Sequence, residues 1–294
     1  MTDGLLMRRP HQLRKMCISI IIPTYNRAHL ICRTIDSVIR QTDDRWELII
    51  VDDGSEDETA GAVQRYLSDK IRYVSQHNAG ANKARNHGAS LARYDYLSFL
   101  DSDDELYPEW LANFLGALKD RPAVVCCGTL RLEQGTTREV LPKSLGPLFG
   151  NAHGKFTNGA CYVIRKDLFN NIGRFDEELR SGQHTELSFR LANLVTSKKV
   201  TIVNIYKPLV KIYIHEGPRI RTNSESKFRG AYLILKKHDA LLRQHPQMKC
   251  NYAKITAYHG FKKRHFFIAF KAFVIYCKYY LITRMKPGSN PISV

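Results

Sequence analysis

Three apolar segments, each followed at once by a polar motif, constrain this chain more than any other feature. CISIII, residues 17–22, is continuous and rich in β-branched residues, and it ends at Pro23. WELIIV, Trp46 to Val51, runs into DDGS, and YDYLSFL, Tyr94 to Leu100, runs into DSDD. Segments that are apolar at nearly every position, rather than at alternate ones, suit strands buried on both faces, as in parallel sheets covered by helices. Between them, Leu30, Ile31, Ile35, Val38 and Ile39 fall on one helical face. Ser55 followed by Glu58 has the spacing of a capping box and predicts a helix starting at Ser55. IRYVS, Ala81 to Leu91, YDYLSFL and Pro108 to Leu118 continue as strand, helix, strand and helix. The expected fold class is α/β, with a mostly parallel central sheet flanked by helices.

Open parallel sheets bind ligands beyond the carboxyl ends of their strands. PTYN, DDGS and DSDD all fall at such ends. Their shared placement says more than any one motif. GxGxxG and GxxxxGK[ST] are absent from the sequence, which lowers the case for dinucleotide binding and for a P-loop ATPase.

The formal net charge of +17 would suggest nucleic acid or an anionic surface, but its distribution matters more. Residues 1–16 carry +3, residues 17–235 carry +3, and residues 236–294 carry +11. The basic excess therefore avoids the motif-bearing part, and no nucleic-acid partner is expected. Seven cysteines without CxxC or Cys/His ligand spacing argue against a disulfide scaffold and a zinc site, and fit a reducing cytoplasm. No long apolar run follows the basic N-terminal segment, so export is not expected.

Four stretches follow: a basic N-terminal segment 1–16, a motif-bearing half 17–122 expected to bind the main ligand, a less regular half 123–222 expected to recognise an acceptor, and a helical, basic, aromatic-rich C-terminal extension 223–294. The third contains AVVCCGTLRL, a loop region, CYVIR with a following helix, a helix from about Thr185 to Leu194, and the strands VTIVNIY and LVKIYI. A polar helix from about Ser224 to Leu242 leads into FKKRHFFIAFKAFVIYCKYYLITRMK, Phe261 to Lys286. Its central part, Phe266 to Thr283, is interrupted by Lys271 and Lys278, which makes it a poor spanning helix. A helix lying in an anionic membrane interface suits it, and so does a helix packed on the core or in a homo-oligomer.

Asp101 and Asp103 can converge only if the strand has given way to a turn. Hard carboxylate oxygens at that spacing suit Mg²⁺ or Mn²⁺ with positions left for phosphate oxygens. The plainer alternative is a solvated acidic turn before the helix near Pro108, and Glu105 reads as a charge at that helix start. Asp52 and Asp53 could accept hydrogen bonds from a base or ribose, or support a helix start. Arg85 on its helix offers a planar fork of donors for a diphosphate or base edge.

Together PTYNR (23–27), VDDGS (51–55), NxGxxxARN (78–86) and DSDD (101–104) resemble the family 2 glycosyltransferases, in that family's order and spacing, over about residues 16–220. The resemblance implies a nucleotide-diphospho-sugar transferase fold of GT-A type, and an inverting transfer from a nucleotide donor, commonly a UDP-sugar, to an acceptor hydroxyl. It implies that Pro23, Thr24 and Tyr25 line the uridine and that Asp52 or Asp53 recognises the base. Asn78, Arg85 and Ser102 belong to the donor site in the same comparison. By the same resemblance Asp101 would contact ribose or metal, Asp103 would be the main metal ligand, and His215 would be a third. Arg219 and Arg221, in the loop of His215, could hold the diphosphate when that loop closes.

GRFDEELRSGQHTELSFRL, Gly173 to Leu191, resembles the stretch that normally carries an ED pair, whose aspartate is usually the general base. Here Gln183 and His184 stand in its place. His184 or Glu186 could take the proton; without either, the chain would bind donor and transfer poorly. Two other classes keep parts of the pattern: a metal-dependent nucleotidyltransferase, which would release pyrophosphate, and a nucleic-acid-binding protein. The acceptor implied is a saccharide or lipid-linked saccharide of surface polysaccharide or glycolipid synthesis, met at the inner face of a membrane.

Overall fold

The computed structural model describes residues 16–142, 159–197, 199–214 and 223–284. In chain order these form β1 (Ile18–Thr24), α1 (Ala28–Ile39), β2 (Trp46–Asp52), α2 (Thr59–Gln64), β3 (Ile71–Ser75), α3 (Ala81–Leu91), β4 (Tyr96–Phe99), β5 (Glu105–Leu106), α4 (Trp110–Ala117), β6 (Val124–Glu133), β7 (Thr136–Val140), β8 (Tyr162–Arg165), α5 (Lys166–Asn171), α6 (Gln183–Thr196), β9 (Ile202–Ile214), α7 (Ser224–Lys237), α8 (Asp239–Gln244), α9 (Pro246–Lys262) and α10 (Phe266–Arg284). The sheet order is β3-β2-β1-β4-β8-β6-β9-β5, with β7 beside β6. The first four strands are parallel, and antiparallel pairs enter at β8.

Every residue of β1 and β2 is buried, as their unbroken apolar sequences require. The exceptions to apolarity are compensated locally. Glu47, 2% exposed, accepts from Ser19 Oγ at 2.7 Å, Arg93 N at 2.6 Å and Arg72 NH2 at 2.8 Å. A buried carboxylate held this way avoids the cost of an unpaired charge. One apolar core joins the sheet to the surrounding helices. A smaller cluster of Leu179, Phe189, Ile234, Leu235, Leu242 and Ala253 ties α6 to α7, α8 and α9.

Helix α3 packs on β1 and β2, and Gly88 is what lets it approach. A Cβ at Gly88 would stand 2.4 Å from Ile21 Cγ2. Gly→Ala inside an exposed helix normally gains about 1 kcal/mol. At this contact the sign reverses. Gly88→Ala is expected to lose about 1–3 kcal/mol, the usual cost of overpacking, read as a lower urea midpoint with an unchanged m-value. A higher midpoint would show that the helix can move away freely.

Several sequence expectations change. The helix after DDGS starts at Thr59, not at Ser55, and Glu58 at its N-cap makes no side-chain capping bond. Ser55 Oγ instead accepts from Asn26 N at 2.8 Å, because the loop after β1 offers it a closer donor. VTIVNIY and LVKIYI form one strand, with Pro208 opposite Gly128 at a register shift in the β6–β9 ladder. The lost ladder donor at Pro208 is thereby confined to an irregularity. The helix expected over Ser224–Leu242 is divided into α7 and α8 at His238, whose ψ of 27° leaves the helical range.

Candidate active site

The carboxyl ends of β1, β2 and β4 lie side by side, since Thr24 pairs with Asp52 and Ile21 pairs with Phe99. Leu100 N donates to Ile21 O at 2.9 Å, so the chain leaves β4 beside Pro23 and turns at once. Asp104 N donates to Asp101 O at 3.1 Å, closing a turn through Ser102 and Asp103. The strand has thus ended where the alternating aspartates need it to end.

Arg85 reaches this turn from α3. Its NH2 lies 2.6 Å from Asp101 Oδ1, NH1 donates to Asn82 Oδ1 at 3.2 Å, and the guanidinium stands 5.7 Å from the centre of the Phe175 ring. The arginine is 4% exposed. Such a planar, buried cation can serve an anionic ligand as well as Asp101. The far side of the turn is fixed by residues that no motif marks. Arg33 NH2 donates to Asp103 O at 2.8 Å, and its guanidinium stacks 3.8 Å from the Tyr213 ring centre. Asp104, almost fully buried, accepts from Tyr213 N at 3.2 Å and so supports the loop from within.

Glu105 is not a helix-start charge. It lies in β5, pairs with β9, sits 3.1 Å from Arg33 Nε, and accepts from Tyr213 OH at 2.6 Å. Burial and that carboxylate push the Tyr213 phenol up to about 12. Its partners are more than 60 residues away in the chain in each direction, so local spacing carried no signal of them.

Asp52 and Asp53 are both buried, and each holds a loop. Asp52 accepts from Ser55 N at 2.7 Å and from Tyr73 OH at 2.6 Å. Asp53 accepts from Gln76 Nε2, Ala79 N and Gly80 N at 2.7–2.9 Å. These bonds shape the loop that carries exposed Asn78 beside the site. Gly80, at φ 99°, is one of the backbone positions this requires, because L residues rarely adopt that angle. Pro23 and Thr24 are buried at the end of β1, and Tyr25 is 42% exposed at its mouth. Ser102 is buried within the turn.

His184 and Glu186, two residues apart, face different surroundings. His184 Nδ1 lies 3.1 Å from Tyr162 OH, and the ring packs edge-on against Phe175 at 5.3 Å. Burial first, then the positive field of Arg85, push the imidazole down to about 3, while Asp101 opposes them. It is therefore neutral at neutral pH, and a weaker base than the ordinary value near 6.5 would suggest. Tyr162, which helps to create this setting, carried no signal in the sequence, and Phe175 lies within the GRFDEEL stretch but was given no role there.

Glu186 is engaged elsewhere. Its oxygens accept from Arg190 Nε and NH2 at 2.8 and 2.7 Å, and His238 Nε2 lies 3.0 Å from Oε1. It lines a cavity of about 560 Å³ with Arg190, Lys237 and His238, which does not include Asp101 or Asp103. Burial raises its pKa, but the bonds from His238 and Arg190 outweigh this and leave it below the usual carboxylate value. The carboxylate is thus committed to Arg190 and His238. His215, Arg219 and Arg221 lie outside the described residues.

Thr24 Oγ1, Arg85 Nε and His184 Nε2 are buried with no hydrogen-bond partner among the described residues. Buried polar atoms in folded proteins are nearly always satisfied. Others without a partner, such as Thr129 Oγ1 on β6 and Asn204 Oδ1 on β9, lie elsewhere, and the three at this end of the sheet fit a site completed by a polar ligand. A metal ion that takes oxygen ligands from a diphosphate and from water needs only one or two carboxylates from the protein. The Asp101–Asp103 turn supplies that many, although no group of three His, Cys, Asp or Glu able to hold a metal exists among the described residues.

Two solved structures share this architecture. The structure resembles Staphylococcus aureus TarS (residues 1–349) in complex with UDP-GlcNAc at a TM-score of 0.64 and 20% identity, covering 84% of this chain and 73% of that one. It also resembles a mannosyltransferase of Pyrobaculum calidifontis in complex with GDP-Man and Mn²⁺, at a TM-score of 0.58 and 19% identity, covering 77% and 64%. The fold is the GT-A type. The glycosyl transferase family 2 profile matches residues 19–173, more than half of the chain, and this chain belongs to that family. An uncharacterised glycosyltransferase of Rickettsia typhi is 31% identical over 70% of this chain and 66% of its own length. A UDP-Glc:alpha-D-GlcNAc-diphosphoundecaprenol beta-1,3-glucosyltransferase of Escherichia coli is 40% identical over 33% of this chain and 38% of its own length. The chain thus spans just under two thirds of the former's length and much less of the latter's.

Proposed function

We propose that this glycosyltransferase moves a sugar from a UDP-sugar to a hydroxyl of a saccharide or lipid-linked saccharide, with inversion, in the synthesis of a surface polysaccharide or glycolipid. It works at the cytoplasmic face of a membrane. The observation that carries the reading is the 2.6 Å pair of buried Arg85 with partly exposed Asp101, set where β1, β2 and β4 end. Relatives with UDP-GlcNAc bound, or named for a UDP-Glc donor and a diphosphoundecaprenol acceptor, support the choice of donor and acceptor.

In this reading Pro23, Thr24 and Tyr25 line the nucleoside. Asp52 and Asp53 act on it through the loops they hold, with Asn78 and Ser102 at the rim. Arg85 faces the diphosphate. Asp101 and Asp103 would hold Mn²⁺ or Mg²⁺, which when bound neutralises charge on the departing nucleoside diphosphate. The acceptor oxygen bonds to the anomeric carbon as the carbon–oxygen bond to the diphosphate breaks, and the electron pair leaves with the diphosphate. The acceptor proton passes to His184, the one of the two candidates whose ring feels the charges of Arg85 and Asp101. A donor diphosphate brings negative charge to that surrounding and makes the imidazole more basic.

Nucleoside diphosphate release from UDP-Glc and UDP-GlcNAc, with Mn²⁺ and with EDTA, tests the reading. Metal-dependent UDP release supports it, whereas pyrophosphate release would identify a nucleotidyltransferase. The weak basicity of His184 favours a second reading, in which donor binds but transfer is slow. His184→Ala separates the two. It is expected to lower kcat by about 10²–10⁴, the usual contribution of a positioned base, with His184→Asp retaining activity. An unchanged kcat in His184→Ala would remove the histidine from the chemistry.

A further inference from the structure

The last two described helices, α9 and α10, carry a surface that the sugar-transfer site does not use. Among α10 residues, Phe266, Phe267, Phe270, Val274 and Leu281 are each more than half exposed, and Phe273 is 45% exposed. At 100° per residue these side chains share about one third of the helix circumference. The opposite side, Ala269 and Ala272, is buried against α9. Tyr258 and Phe261 extend the apolar surface onto α9, at 63% and 42% exposure. Lone exposed apolar residues are ordinary, but a contiguous set of this kind marks an interaction surface.

Charge selects the occupant. Residues 240–294 contain no Asp or Glu. Exposed Lys262, Lys263 and Arg264 cap the α9–α10 turn beside Phe261, Phe266 and Phe267. Exposed Lys271 and Lys278 follow one edge of the apolar face, and Lys271 Nζ lies 4.1 Å from the Phe267 ring centre. A second copy of this chain would set like charges against each other. Anionic headgroups above an apolar interior complement both parts of the surface.

By length and composition α10 could also cross a bilayer, with 19 residues and a mean hydropathy of 1.5. Its attachment argues for lying flat. Ala269 packs into the gap that Gly260 leaves on α9, where a Cβ would come within 2.9 Å. At the turn, His265 stacks on Phe228 of α7 at 4.3 Å, and its Nε2 is 3.1 Å from Glu225. Spanning would strip these contacts and draw Lys271 and Lys278 into hydrocarbon, at about 2.5–3.5 kcal/mol for each charge near the centre.

We propose that the α9–α10 hairpin docks on an anionic lipid surface, with the aromatic face of α10 at the headgroup boundary and the cations of the turn on the lipid charges. The inference rests on the membrane part of the reading above and is independent of its transfer chemistry. Flotation of the full chain with phosphatidylcholine vesicles, with and without phosphatidylglycerol, tests it. Binding is expected only to the anionic vesicles, and salt should release it. Lys262→Gln, Lys263→Gln and Arg264→Gln together should weaken partitioning about a hundredfold, at roughly fivefold for each basic residue. Phe267→Ser with Phe270→Ser should weaken it at least about tenfold. Both variants should release UDP from a soluble donor as the parent does, so a failure of docking is separable from a failure of the donor site. Equal flotation with neutral vesicles that resists alkaline carbonate would show a spanning helix. A dimer that the Phe substitutions dissociate, without flotation, would assign the face to a second copy. Either result, or no flotation at all, overturns the proposal.

Discussion

Asp103→Ala is expected to lower metal-dependent release of nucleoside diphosphate by about a thousandfold while leaving the fold intact. The magnitude follows from removing a metal ligand that supplies about 4 kcal/mol of charge stabilisation in the transition state, at 1.36 kcal/mol per tenfold in rate. The fold survives because Arg33 holds the backbone carbonyl of Asp103, which alanine keeps. Asp104→Ala provides the contrast. Its carboxylate is buried and accepts from Tyr213 N, so its loss should lower the melting temperature more than it lowers turnover. If Asp103→Ala retained full metal-dependent activity, the Asp101–Asp103 turn would not be the metal site.

Glu186→Ala is expected to cost about 3–5 kcal/mol of stability, because it leaves Arg190 and His238 facing a buried site without their carboxylate. Its effect on kcat, measured below the unfolding transition, should be small. The same interaction has a defined pH dependence. The folded pKa of Glu186 lies below its ordinary 4.5, so its contribution is fully present above the unfolded value and is lost as pH falls through the folded one. Urea midpoints compared for parent and Glu186→Gln should therefore converge as the solution is acidified past pH 4.5. A large fall in kcat with an unchanged midpoint would return Glu186 to the chemistry.

The contrast between Glu186 and His184 shows what a sequence reveals and what it does not. The unbroken apolar segments of β1 and β2 were legible because burial on both faces leaves a direct imprint on them. The position of the DSDD turn was legible for the same reason, since a motif at a strand end inherits the strand's placement. Glu186 lies four residues before Arg190 on α6, a spacing that puts both on one helical face, so its ion pair could have been anticipated. The environment of His184 could not, because Tyr162, Phe175 and Arg85 come from three separate elements. Glu105 misled for a related reason: a charge just ahead of Pro108 suits a helix start, but Arg33 and Tyr213 draw it into β5. The aromatic tail reads as a helix in the sequence, whereas the choice of its buried side was made by small residues, Gly260, Ala269 and Ala272.

Thermal unfolding in the presence of UDP and Mn²⁺ tests the central claim, that the ends of β1, β2 and β4 form a nucleotide-sugar site, most directly. A ligand at a hundredfold excess over its Kd stabilises the protein that binds it by about 2.7 kcal/mol. The account predicts a rise in melting temperature with UDP or a UDP-sugar and Mn²⁺ together, smaller with either alone, and lost in Arg85→Ala. No rise with any nucleoside diphosphate or its sugars, in the presence of Mn²⁺ or Mg²⁺, would contradict it.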